Sequence, residues 1–178
     1  MSDVDTPLPA KATAKDPAGF RIFRFETSPS VEEAGVMTSH FDVAPEVGAL
    51  MVRALGAGLL EGQQTRILFQ IPGFSLIHAW FKPDYPLPLH SHNADCLYYV
   101  AAGSLKLGKE ILGVGDGFFV PAEVPYTYTP GPSGVEVLEI RHETHFNLTG
   151  HSKTAAFWEK AINTLESNRE SWSTFPRP

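Results

Sequence analysis

The chain has 178 residues, 43% of them apolar, which is enough for the core of one domain and too little for two full ones. Its 14 Lys plus Arg against 20 Asp plus Glu leave a net charge of −6, which argues against an electrostatic hold on nucleic acid or on an anionic membrane. Gly and Pro number 15 each, favouring short segments joined by turns, and the single cysteine, Cys96, excludes an internal disulfide and suits a reducing, cytoplasmic compartment.

Residues 1–18 are rich in Pro, Ala, Asp and Lys, lack the apolar stretch of a secretory signal, and read as a mobile arm. An extension over 19–64 follows. In it Pro45 precedes Val47, Leu50, Met51, Ala54 and Leu55, whose spacing predicts a short helix. The apolar run Val47 to Leu60 is broken by Arg53 and three glycines and is too short to cross a bilayer.

From Thr65 the pattern changes to short β-branched and aromatic runs, punctuated at Pro72-Gly73, Pro83-Asp84, Gly103, Gly108, Gly113 to Gly117 and Pro130 to Gly134. Residues 65–148 therefore read as an antiparallel, mainly β body. Over 149–178, Ser152 or Thr154 can cap a helix in which Phe157, Trp158, Ala161, Ile162 and Leu165 share one face, expected to pack on the outside of the sheets.

The chemistry concentrates between Asp84 and Gly103. His90-Ser91-His92 places two imidazoles on the same side of a strand, so both can meet one ion or one substrate atom, and Cys96 follows after three intervening residues. A second segment contains Gly115-Asp116, then Phe118-Phe119-Val120-Pro121, then Val124-Pro125-Tyr126 and Pro130. Together the two segments resemble the cupin superfamily, of the small single-domain bacterial type. His90, His92 and Gly103 keep the spacing of the first motif, with Asp84 in place of its first glycine and Cys96 in place of its glutamate. Gly115 and Pro121 keep the second, with Glu123 for its second glycine, Tyr126 for its histidine and Pro130 for its asparagine.

The resemblance implies a double-stranded β-helix, or jelly-roll barrel, with its site inside. Cupins with intact motifs bind a divalent metal through the two histidines and the glutamate of motif one and the histidine of motif two. Here two of those four survive, while thiol and phenol groups can still ligate or donate protons. The candidate metal ligands are His90, His92, Cys96 and His142, for Fe, Mn, Ni, Zn or Cu. Cupins commonly pair as homodimers, and Phe20 to Phe25 can serve as a strand added to the partner's sheet.

Alternation extends the interior. If Cys96 faces inward, so do Tyr98 and Val100, and Tyr126 brings Val124 and Tyr128. Along 135–142 the apolar set Leu138, Ile140, His142 is expected inside, opposite Val137, Glu139 and Arg141. His78 and Trp80 share a face with Leu76 and join the pocket candidates Tyr98 and Tyr128.

Three functions remain open. The first is a metal-dependent oxygenase, lyase or isomerase acting on a small organic molecule. The second is a metal-free acid–base enzyme of epimerase or cyclase type, with His92 or His90 as base and Tyr126 as acid. The third is a cupin that binds a small molecule without transforming it.

Overall fold

The computed structural model of the protein describes residues 19–176, so the arm assigned to 1–18 lies outside the described residues. A 3-10 turn (Phe25–Thr27) and α1 (Val31–Ala34) lead to β1 (Met37–His40) and α2 (Pro45–Gly56). Then come β2 (Gln63–Ile71), β3 (Phe74–Phe81), β4 (His90–Ser91), β5 (Cys96–Leu107), β6 (Glu110–Gly113), β7 (Gly117–Val120), β8 (Thr129–Arg141), β9 (Phe146–Gly150) and α3 (Ala155–Ser173). Phe20 to Arg24, considered above as a strand, pairs with nothing as a strand in the single chain, and Phe20, Ile22 and Phe23 are exposed.

The strands form a jelly roll of two sheets. One has the order β2-β3-β8-β5-β6, with β7 also paired to β5; the other has the order β1-β9-β4. β1 lies in the extension but pairs in parallel with β9, Met37 opposite Phe146, so the extension supplies part of the barrel wall.

Inward and outward faces alternate as a half-buried strand requires. On β5, Cys96, Tyr98 and Val100 are buried, whereas Leu97 and Tyr99 are exposed. On β8 the expected faces are exchanged. Val135, Val137 and Arg141 are buried, whereas Leu138 and Ile140 are only partly covered and His142 is exposed beyond the strand end. The register carries the exchange to β3, where Ile77 faces Glu139 and Ala79 faces Val137 while His78 and Trp80 lie on the opposite face. The physical reason is mutual neutralisation: Glu139 and Arg141 bond each other at 2.7 Å, so an apparently polar face can turn inward.

α2 forms as its periodicity predicts, with Pro45 at its first turn and Val47 and Ala54 buried. α3 starts at Thr154, whose side chain accepts from the Phe157 N–H. Its buried face, Trp158, Ala161, Ile162, Leu165 and Trp172, belongs to the same apolar cluster as Val47 and Ala54 of α2. Each such large side chain contributes about 1.5–3 kcal/mol when fully buried. α3 thus packs against α2 as well as against barrel residues of the same apolar cluster.

Both residues that replace motif glycines keep a glycine-like backbone. Asp84 has φ of 56° and Glu123 has φ of 64°, left-handed values that L side chains adopt reluctantly. At both positions the backbone takes a conformation that glycine would adopt at lower cost.

Candidate functional site

A cavity of about 570 Å³ opens between the sheets under α2. Apolar side chains make most of its wall, including Met37, Met51, Leu59, Ile77, Phe146 and Trp158, and the polar groups at its inner end include His90, His92 and Glu139. The volume is that of an ordinary small-molecule site.

β4 presents His90, and His92 lies just past its end; the two rings are 5.1 Å apart, edge to face. His90 Nδ1 is 2.7 Å from the Pro88 carbonyl oxygen, which can only accept, so Nδ1 carries the proton and Nε2 the lone pair. That lone pair accepts from the Tyr126 hydroxyl at 2.9 Å. Tyr126 in turn accepts from the Tyr98 hydroxyl, and Tyr98 from Arg141 Nη2 at 3.2 Å. The result is a one-directional chain, Arg141 to Tyr98 to Tyr126 to His90 to Pro88, anchored by the Glu139–Arg141 ion pair. Burial holds the His90 imidazole below its ordinary pKa and both phenols well above theirs, so every member keeps the protonation state this chain requires.

His92 is held differently. Its Nδ1 donates to the Asn147 carbonyl at 2.6 Å, and Asn147 is itself locked by reciprocal amide bonds with Asn93 of 2.9 and 2.8 Å. Nε2 therefore carries a lone pair, and it makes no hydrogen bond among the described residues. Burial first, and the Arg141 charge second, push the His92 pKa down to about 4. The imidazole is therefore neutral near pH 7, with a free lone pair at an apolar cavity, and is a weaker base than free histidine.

The other sequence candidates are dispersed. Cys96 is buried in the apolar cluster, its thiol pushed up to about 12 by burial and then by Glu139, so it is not a thiolate near neutral pH. Tyr98 and Tyr126 join the chain above, whereas Tyr128 packs edge-on against Phe81 and Phe118. Val124, expected beside Tyr126 on one face, is exposed, because residues 121–125 form a turn rather than a strand and period-two alternation does not apply. His142 is exposed, away from the histidine pair, because it lies past the end of β8. His78 and Trp80 sit on the outer face of β3, His78 bonded to Glu136 at 3.1 Å and Trp80 beneath the Lys82 ammonium at 5.7 Å.

These donors, as placed, do not fit a divalent ion. The His90 lone pair is taken by Tyr126, the Cys96 thiol is directed at the Leu97 carbonyl, 3.7 Å away, within the apolar cluster, and Glu139 is bonded to Arg141. Among the described residues no three His, Cys, Asp or Glu side chains are grouped to hold a metal. The sequence reading missed Asn147, Glu139 and Arg141. The only available signal for the last two was an acid and a base two residues apart on a strand, the spacing that puts both on one face.

No family model matches the chain, and no curated protein does. Solved structures do. KdgF from a Halomonas species is 18% identical, over 46% of this chain and 82% of that one, with a TM-score of 0.38. The polyketide cyclase RemF from Streptomyces resistomycificus is 21% identical, over 60% and 82%, with a TM-score of 0.47. An RmlC-like cupin from Shewanella frigidimarina is 23% identical, over 46% and 76%, with a TM-score of 0.39. These are likenesses of fold.

Proposed function

We propose that the protein is a cupin-type enzyme that moves a proton on a small apolar organic molecule, with His92 as the base and no metal in the reaction. The observation that carries this reading is the contrast between two adjacent imidazoles. His90 has both ring nitrogens engaged, whereas His92 has one nitrogen fixed by Asn147 and the other free at the cavity. His92 Nε2 would take a proton from an acidic C–H of the substrate and return it to another position, so the reaction conserves atoms as an isomerisation does. The transient imidazolium keeps its Nδ1 bond to the Asn147 carbonyl; burial and then the Arg141 charge disfavour it, Glu139 opposes them in part, and it returns its proton readily. Tyr126 does not line the cavity. It acts as a positioning residue that holds His90 as a fixed part of the wall.

Deuterium incorporation into 6-hydroxy-2-tetralone in D2O, followed by NMR, tests the proposal together with elemental analysis. Catalysed exchange should survive EDTA and disappear in His92→Phe. Exchange that is absent, undiminished in His92→Phe, or dependent on a stoichiometric metal would overturn it. For the state of assembly, we propose a homodimer using the exposed Phe20 to Phe23 segment, to be checked by sedimentation of the full chain and of a Phe20→Ser/Ile22→Ser variant.

A further inference from the structure

The charge and polarity of the cavity bear on what it admits. Its charged lining groups are Glu32, Glu139 and whichever histidine is protonated; no lysine or arginine side chain reaches the wall among the described residues. Arg141, which neutralises Glu139, does so from behind, fully buried and stacked over Phe146 at 4.2 Å. An anionic ligand would therefore meet a carboxylate with no accessible cation, and would lose its hydration in an apolar chamber. A cationic ligand would gain little, because Glu139 is already paired.

At the inner end the groups left open are acceptors. His92 Nε2 carries a lone pair, and Glu139 uses Oε2 for Arg141 while Oε1 makes no hydrogen bond among the described residues. Thr65 and Gln63, farther along β2, are neutral and can serve either way. At the outer end Phe41, Val52, Leu55 and Leu60 line the cavity and are also exposed, so the apolar surface runs without a break from solvent to the chamber. Side chains of that kind at a mouth favour entry of a hydrophobic body.

Resting on the acid–base reading of His92, we infer that the ligand is a neutral hydrophobic molecule bearing a hydroxyl, phenol-like in class, whose O–H reaches the inner end and is donated to Glu139 Oε1, leaving His92 Nε2 for the carbon acid, while its apolar body lies along the rim residues of α2. A site built to accept a hydrogen bond rejects the analogue that lacks the donor, because its buried acceptors are then left unpaired.

Isothermal titration of the full chain with 2-naphthol, 2-methoxynaphthalene, 2-naphthoate and 2-naphthylmethylamine tests the inference. The naphthol should bind at least about tenfold more tightly than its methyl ether, and more tightly than the anion or the cation. Glu139→Leu combined with Arg141→Met removes the acceptor together with its cation and should erase most of that tenfold preference, whereas His92→Phe should keep it. Glu139→Gln keeps an acceptor for Arg141 and should relax the rejection of 2-naphthoate. A methyl ether that binds as well as the naphthol, or a naphthoate or amine that binds best, would overturn the inference. Naphthol preference without His92-dependent exchange would remove the catalytic reading and leave the ligand class standing; exchange without the preference would do the reverse.

Discussion

His90 and Tyr126 are joined three times. The backbone N–H of His90 donates to the Tyr126 carbonyl at 3.1 Å, the N–H of Tyr126 donates to the His90 carbonyl at 2.9 Å, and the Tyr126 hydroxyl donates to His90 Nε2 at 2.9 Å. The bridge links the two motif segments, so the ring of His90 has one orientation available. Tyr126→Phe removes a donor from His90 and an acceptor from the Tyr98 hydroxyl, both buried, and should cost about 1–3 kcal/mol in denaturant unfolding. A variant as stable as the parent would show that the side-chain bond adds nothing to the backbone bridge.

The pH dependence follows from His92. Its folded pKa, about 4, lies below the ordinary 6.5, so the unfolded chain binds the proton more readily. The corresponding stability is fully present above about pH 6.5 and is lost as the pH falls towards 4, up to about 3 kcal/mol. His90 is shifted in the same direction and adds to the slope. Urea midpoints at pH 7 and pH 5 should differ less in His92→Phe than in the parent; equal differences would refute the assignment.

The interior ion pair predicts a non-additive double variant. Arg141→Met leaves Glu139 without its cation inside the barrel and should cost about 3–5 kcal/mol. Arg141→Met combined with Glu139→Leu replaces the pair with apolar groups and should recover most of that loss. Additive losses in guanidinium unfolding would mean that the two residues do not depend on each other.

Glu123 offers a stabilising substitution. Its φ of 64° costs a residue with a Cβ more than it costs glycine, and its side chain is exposed. Glu123→Gly should raise stability by about 0.5–1 kcal/mol. Asp84→Gly should gain less, since aspartate tolerates this region better than glutamate does. A loss of melting temperature in Glu123→Gly would contradict the strain argument.

Cys96 should be inert in the folded protein. A buried thiol pushed up to about 12 offers almost no thiolate at pH 8, so Ellman's reagent should react slowly with native protein and fully once it is denatured. Rapid native labelling would restore Cys96 as a reactive or ligating group.

Much of the architecture was legible before the fold was seen, because it depends on local order. Pro45 with its helical spacing, Thr154 as a cap, and alternation through Cys96, Tyr98 and Val100 are each decided within a few residues.

The site itself depended on contacts distant in sequence. By itself, the sequence determined a mainly β body in which His90 and His92 lie together, since spacing and period set which side chains point the same way, and the jelly roll followed only from the resemblance to cupins. Only the tertiary structure decided that His90 is spent on Tyr126 and that His92, fixed by Asn147 fifty-five residues away, keeps its lone pair. It also decided which face of β8 turns inward. Hydrophobicity counted residue by residue put Leu138, Ile140 and His142 inside, but Glu139 and Arg141 neutralise each other, and a paired charge can be buried where a single one cannot.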